Sequence, residues 1–238
     1  MTGAPQRPVV LITGATGLTG RAVARRFVAG GAVVALNGSD AGRVEALVAD
    51  LALDPACVLA APGDLKDAAA ARSVVEAVVA RFGRVDVLAH LVGGYTGGTA
   101  VVDLDPDDVR WMLDQHLWTT LNVVQAVVPG MVEQGFGRVV AVSSPFAATP
   151  NARGASYALG KAAEEVLIRT LAREHGIDGV TANLLIVKTI DANHERETAP
   201  SKANASWVTP EEVAESLAWL ASDAAASVNG ARIPLDGR

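Results

Sequence analysis

Val9-Val10-Leu11-Ile12-Thr13-Gly14-Ala15-Thr16-Gly17-Leu18-Thr19-Gly20 is the stretch that decides the fold. An apolar, β-branched run passes straight into a turn with glycines at 14, 17 and 20, and a helical pattern opens at once, over Gly20–Ala29. Strand, glycine turn and helix in that order let the chain reverse tightly. They also bring backbone N–H groups close to a pyrophosphate and aim a helix dipole at it. The spacing is GxxGxxG, looser than GxGxxG, and glycines serve ordinary steric needs in turns. The flanking strand and helix favour the dinucleotide reading. On that reading Gly14, Thr16, Gly17 and Leu18 line the cofactor site.

The alternation continues outward along the chain. Further strands are expected at Val33–Leu36, Val58–Ala60, Val87–Leu91, Arg138–Ser143, Thr181–Ile186 and Arg232–Pro234. Between them helical periodicity marks Arg43–Leu51, Ala68–Phe82, Pro106–Gln134, Ser156–His175 and Pro210–Ser222. Strands apolar throughout are buried on both faces, which a parallel sheet covered by crossover helices provides. The expected architecture is α/β: one domain over residues 1–238, a doubly wound, Rossmann-type parallel sheet with helices on both faces. Lys188–Ser206 (KTIDANHERETAPSKANAS) is polar and without apolar periodicity. It follows a central strand at the carboxyl edge, so a substrate lid is expected there.

The 238 residues suit one large domain, and half of them are hydrophobic, mostly small aliphatics. A net charge of -6 argues against nucleic-acid and anionic-membrane partners. Cys57 is the only cysteine and lies among aliphatics, so it reads as an inert buried thiol. MTGAPQRP lacks the form of a signal peptide and VVLI is too short to span a bilayer, so a cytoplasmic setting is expected. The four histidines and scattered carboxylates show no metal-ligand spacing, and no catalytic metal is expected.

The end of the second strand normally reads the adenosine ribose. Here it carries Asn37-Gly38-Ser39, with no carboxylate to repel a 2′-phosphate and with Arg43 one helical turn on. That favours NADP(H) over NAD(H), although NGSD also reads as a turn and helix cap compatible with either. After the third strand comes GDLKD, where Asp64, beside Leu65, either accepts from the adenine amino group or caps the following helix.

The reacting end is read from Ser156-Tyr157-Ala158-Leu159-Gly160-Lys161. Residues at i and i+4 share a helix face, so phenol and ammonium project into one site, where the ammonium favours the phenolate. Ser144 closes the preceding strand, thirteen residues before Tyr157, and can hydrogen-bond a substrate oxygen as charge develops. YxxxK alone is a common accident; after a glycine turn and Ser144 it becomes specific.

TGATGLTG, GDLKD, VDVLAH, GRVVAVSS, YALGK and NGARIPLDG together resemble the short-chain dehydrogenase/reductase family over nearly the whole chain. The resemblance implies hydride exchange between a nicotinamide cofactor and a small carbonyl or alcohol. Tyr157 then acts as acid/base, Lys161 binds the nicotinamide ribose and Ser144 orients the substrate. By position, Leu91, Val92, Gly93, Val187 and Thr189, with Tyr157 and Lys161, join the cofactor contacts. The family's Asn-Asn-Ala-Gly is replaced by His90-Leu91-Val92-Gly93, its relay Asn by His116, and its Pro-Gly by Val187-Lys188. His116 either relays protons or packs as a hydrogen-bonded core residue.

LVGGYTGG, MLDQHLWTT and ASWVTP resemble dihydropteridine reductase within the family, which makes a pterin-type reductase the alternative substrate reading. A nucleotide-binding regulator without turnover is a further alternative, and a scaffold within a hetero-oligomer a third. Family resemblance also implies a homo-oligomer, dimer or tetramer, through the two long helices. His175 reads as a helix-dipole partner and His194 as a lid residue within reach of substrate. Trp111, Trp118 and Trp219 read as packing, with Trp207 and Tyr95 as candidates for lining the pocket.

Overall fold

Val9–Thr13 (β1) is buried at every position, and it forms the first strand of a seven-stranded parallel sheet. The computed structural model describes residues 7–237; the signal-peptide reading of the first six residues lies outside them. The other strands are β2 (Val33–Leu36), β3 (Val58–Ala60), β4 (Val87–His90), β5 (Gly137–Ser143), β6 (Val180–Val187) and β7 (Arg232–Leu235). Their order is β3-β2-β1-β4-β5-β6-β7. The order reverses where β1 pairs with β2 on one side and β4 on the other. That switch point opens a crevice at the carboxyl ends of the strands.

The helices are α1 (Gly20–Ala29), α2 (Ala41–Leu51), α3 (Ala68–Phe82), α4 (Pro106–Leu113), α5 (Thr119–Glu133), α6 (Ala155–His175), α7 (Glu195–Thr198) and α8 (Pro210–Leu220). One apolar layer packs α3, α5 and α6 on the sheet through Val74, Val78, Val127, Met131 and Ile168. The opposite layer packs α1, α2 and α8 through Val23, Phe27, Val44, Leu47 and Leu217. Two dry layers around a buried sheet explain why its strands are apolar on both faces.

The structure departs from the sequence reading in two elements. Pro106–Gln134, expected as one helix, is interrupted by a π-helical turn over Asp114–Trp118. Thr119 Oγ1 and Thr120 Oγ1 donate to the Gln115 and His116 carbonyls, satisfying acceptors at the widened turn. Such a turn shifts the side chains that follow around the helix, and it is common at functional sites. Lys188–Ser206, expected to lack regular structure, contains α7 and begins beside a parallel bridge between Ile190 and Val208. The buried Asp191 carboxylate accepts from the Glu195 and Arg196 amides, and Arg196 pairs with Glu212 of α8. Local polar bonds here take the place of apolar periodicity, which is why no pattern announced them.

Candidate active site

The glycine turn is built by close approach. Gly14 adopts φ +67°, and a Cβ there would lie 2.8 Å from Leu91 C and Val92 N, so the β1 and β4 turns meet backbone to backbone. A Cβ on Gly20 would fall 1.8 Å from the Ala15 carbonyl oxygen, which fixes glycine at the start of α1. Two adjoining cavities, of about 300 and 390 Å³, open beside this turn and share Gly14, Gly17 and Leu91–Gly93.

The smaller cavity is lined by Thr16, Asn37, Gly38, Ser39, Asp64 and Leu65, six of the residues the sequence assigned to cofactor binding. Asn37 uses its side-chain amide to hold the Ala61 and Gly63 carbonyls, so it braces the β2 and β3 ends instead of reaching into the cavity with that group. Arg43 also lines it, with its guanidinium donating to the Thr16 carbonyl at 3.1 Å. That bond holds an exposed cation at the wall of the cavity that Ser39 also lines. The helix cap on α3 is Asp67, whose carboxylate accepts from the Ala69 and Ala70 amides; Asp64 accepts from the Lys66 amide and is not the cap.

The larger cavity brings Leu18, Tyr95, His116, Tyr157, Lys161 and Val187 together. Tyr157 sits edge-on to Tyr95 and to His116, with ring centroids 5.2 and 5.6 Å apart. Lys161, one helical turn further on α6, donates from Nζ to the Val142 carbonyl at 2.7 Å and to Glu164 Oε2 at 2.6 Å. An ammonium has three donors, so one N–H remains for a group in the cavity. His116 is fully buried, and its Nε2 donates to the Gly94 carbonyl at 3.0 Å. Burial and the Lys161 ammonium lower its pKa to about 2, which keeps the imidazole neutral.

Several other expected residues stand elsewhere. Ser143, not Ser144, lines the larger cavity. Ser144 is buried at the end of β5, where Oγ accepts from the Phe146 amide, leaving its own hydrogen able to donate. Lys188 and Ile190 line the cavity, whereas Thr189 uses its carbonyl to bond Val208. His194 pairs with Glu211 on the surface, His175 pairs with Asp178, and Trp207 spends its carbonyl on Arg196 without lining the cavity.

Two polar residues escaped sequence reading. His90 is fully buried between Thr13 Oγ1, 2.7 Å away, and Thr120 Oγ1, 3.0 Å away, and burial lowers its pKa to about 3. Glu164, three residues after Lys161 on the same face, was the one legible hint, because a carboxylate on a buried helix face requires a partner.

The residues present suit a nicotinamide dinucleotide: side-chain-free backbone at Gly14 and Gly17, and an uncommitted Lys161 donor in the adjoining cavity. Among the described residues no helix is long and apolar enough to cross a membrane.

Comparison with known proteins agrees with this geometry. The family model for short chain dehydrogenase matches residues 8–203. A (2S)-[(R)-hydroxy(phenyl)methyl]succinyl-CoA dehydrogenase subunit of Thauera aromatica is 35% identical over 93% of this chain and 90% of its own length. Meso-2,3-butanediol dehydrogenase of Serratia marcescens is 33% identical over 96% of this chain and 93% of its own. The crystal structure of levodione reductase superposes with a TM-score of 0.87 at 29% identity, covering 97% of this chain and 96% of that one. The chain therefore belongs to the short-chain dehydrogenase family of oxidoreductases, whose members use nicotinamide cofactors.

Proposed function

We propose that the protein is an NADP(H)-preferring oxidoreductase that interconverts a small ketone and its secondary alcohol, with Tyr157 as acid/base. The observation that carries this reading is the cavity shared by the glycine turn, Tyr157 and Lys161 at the carboxyl edge of the sheet.

A bound nicotinamide supplies or accepts the hydride. In the reducing direction Tyr157 Oη gives its proton to the substrate oxygen, and the Lys161 ammonium one turn away stabilises the phenolate that forms. Neutral His116, pinned to the Gly94 carbonyl, props the Tyr157 ring from its edge and adds no charge. Leu18, Tyr95, Val187 and Ile190 give the cavity apolar walls, which suit an uncharged substrate. The relatives' names, a butanediol dehydrogenase and a levodione reductase among them, support hydroxy-ketones and diketones as the class to try first.

Arg43 beside Ser39, with no carboxylate at the end of β2, supports NADP(H). A homo-oligomer is proposed through the outward faces of α5 and α6, where Leu159 and Val166 are exposed beside a groove lined by Leu121, Val124 and Leu167.

The test is oxidation of NADPH by the purified protein with a panel of ketones that includes 2,3-butanedione and a quinonoid dihydropterin. Ketone-dependent oxidation is expected. Consumption with the pterin alone would replace the ketone reading by pterin reduction.

A further inference from the structure

Lys161 is not the end of the polar chain below the cavity. Glu164 lies one turn further along α6, with its side chain fully buried and Oε2 bonded to Lys161 Nζ. Among the described residues its other oxygen, Oε1, has no hydrogen-bond partner. The His116 ring stands opposite, with Nδ1 3.8 Å from Glu164 Oε2 and likewise unpartnered. The Gly94 carbonyl can only accept, so the ring hydrogen sits on Nε2 and Nδ1 presents a bare lone pair. The carboxylate and the lone pair stand 3.8 Å apart in dry surroundings, beyond hydrogen-bond reach, so the ring gives the carboxylate no proton. A proton on the unpartnered Oε1 removes the buried charge while Oε2 keeps its bond from Lys161.

The ionisable groups packed around Glu164 are Lys161 and Glu165 on its own helix and His116 from the π turn. His90 on β4 lies further back and faces Lys161. Glu165 is held by Ser143 and Arg232, and the two histidines stay neutral through burial. Burial raises the Glu164 carboxyl to about 7, against the pull of the Lys161 ammonium.

We propose that Glu164 is a positioning residue that stores an exchangeable proton behind Lys161. The proposal rests on the assignment of Tyr157 and Lys161 to the reaction. When an N–H bond of the Lys161 ammonium has broken and its proton has formed the O–H bond of the Tyr157 phenol anew, the Glu164 O–H bond breaks and a new N–H bond forms on the Lys161 amine, leaving carboxylate and ammonium. The reverse transfer serves the oxidising direction. No electron changes owner in either transfer.

Infrared difference spectra of wild type against Glu164→Gln need no substrate. Over a pH series from about 5 to about 9, wild type should show a protonated-carboxyl band that fades near pH 7 and is absent from the variant. Glu164→Asp, still titratable, should keep a displaced band, which assigns the signal even where the Gln variant folds poorly. A carboxylate at every pH overturns the proposal.

In NADPH-dependent reduction of 2,3-butanedione, the wild-type kcat should decline above neutrality. Glu164→Gln should lose that limb and run about tenfold slower with KM unchanged. A variant with the wild-type profile and rate also overturns the proposal. Wild type no faster than Tyr157→Phe would instead defeat the underlying assignment, and the infrared titration would still decide where the proton sits.

Discussion

At the scale of single residues, much of the site is read by type and spacing, and the proposed preference for NADP(H) rests on one exposed cation. Arg43 is tied by a single bond to the Thr16 carbonyl, so a 2′-phosphate beside Ser39 offers it a stronger, charge-assisted partner. Arg43→Ala should raise the Kd for NADPH about tenfold, roughly 1.4 kcal/mol, and leave NADH unchanged. Isothermal calorimetry with both cofactors measures it, and equal weakening of both would remove the discrimination from Arg43. Tyr157, Lys161 and the glycines were legible because their spacing alone puts them on one face or in one turn. His90 was not, and Glu164 was legible only as a carboxylate on a buried helix face, because what singles them out is burial and partners: Lys161 and His116 for one, Thr13 and Thr120 for the other. The orientation of Ser144 was illegible for the same reason, since Phe146 claims its lone pair only once the Pro145–Ala147 turn forms.

At the scale of elements, strands were legible almost to the residue, since buried parallel strands must be apolar throughout. The π turn was not, because apolar periodicity runs through Pro106–Gln134 whether the helix widens or not. It matters because it seats His116 against α6 at Gly160. A Cβ on Gly160 would lie 2.8 Å from the Met112 carbonyl and 2.9 Å from His116 Cδ2, so α4, the π turn and α6 touch there without a side chain between them. Gly160→Ala should therefore cost about 1–3 kcal/mol of stability by overpacking and lower kcat by moving His116 off the Tyr157 edge. Urea unfolding and steady-state kinetics read the two effects. Unchanged stability would show that the helices separate freely at this point.

At the scale of the whole molecule, three buried titrations set the acid limb of stability. His90 and His116 have folded pKa values near 3 and 2 against 6.5 unfolded, so each costs stability as pH falls below 6.5. Glu164 moves the other way, from 4.5 to about 7, so it gains a proton in the folded state first and stabilises on acidification down to 4.5. Between pH 6.5 and 4.5 the unfolded chain thus binds one net proton more than the folded one. Stability should fall by roughly 1.4 kcal/mol per pH unit. Below 4.5 the unfolded Glu164 also protonates, its opposition ends, and the decline steepens. Asp191 and Glu212, whose carboxyls are held below their usual range, add to that decline. Denaturant unfolding across a pH series should show the two slopes, and His90→Asn should flatten both. A flat profile from pH 6.5 to 4.5 would mean that these groups are not sealed from water.

The central claim is that Tyr157 moves the proton while the glycine turn and Lys161 hold the cofactor. The most direct test is the NADPH oxidation rate with the best ketone of the panel, wild type against Tyr157→Phe, alongside the NADPH Kd of each. The phenol hydroxyl is worth at least about a hundredfold in kcat as a general acid, so the variant should lose that factor while binding NADPH as tightly as wild type. Equal rates in the two proteins would contradict the account.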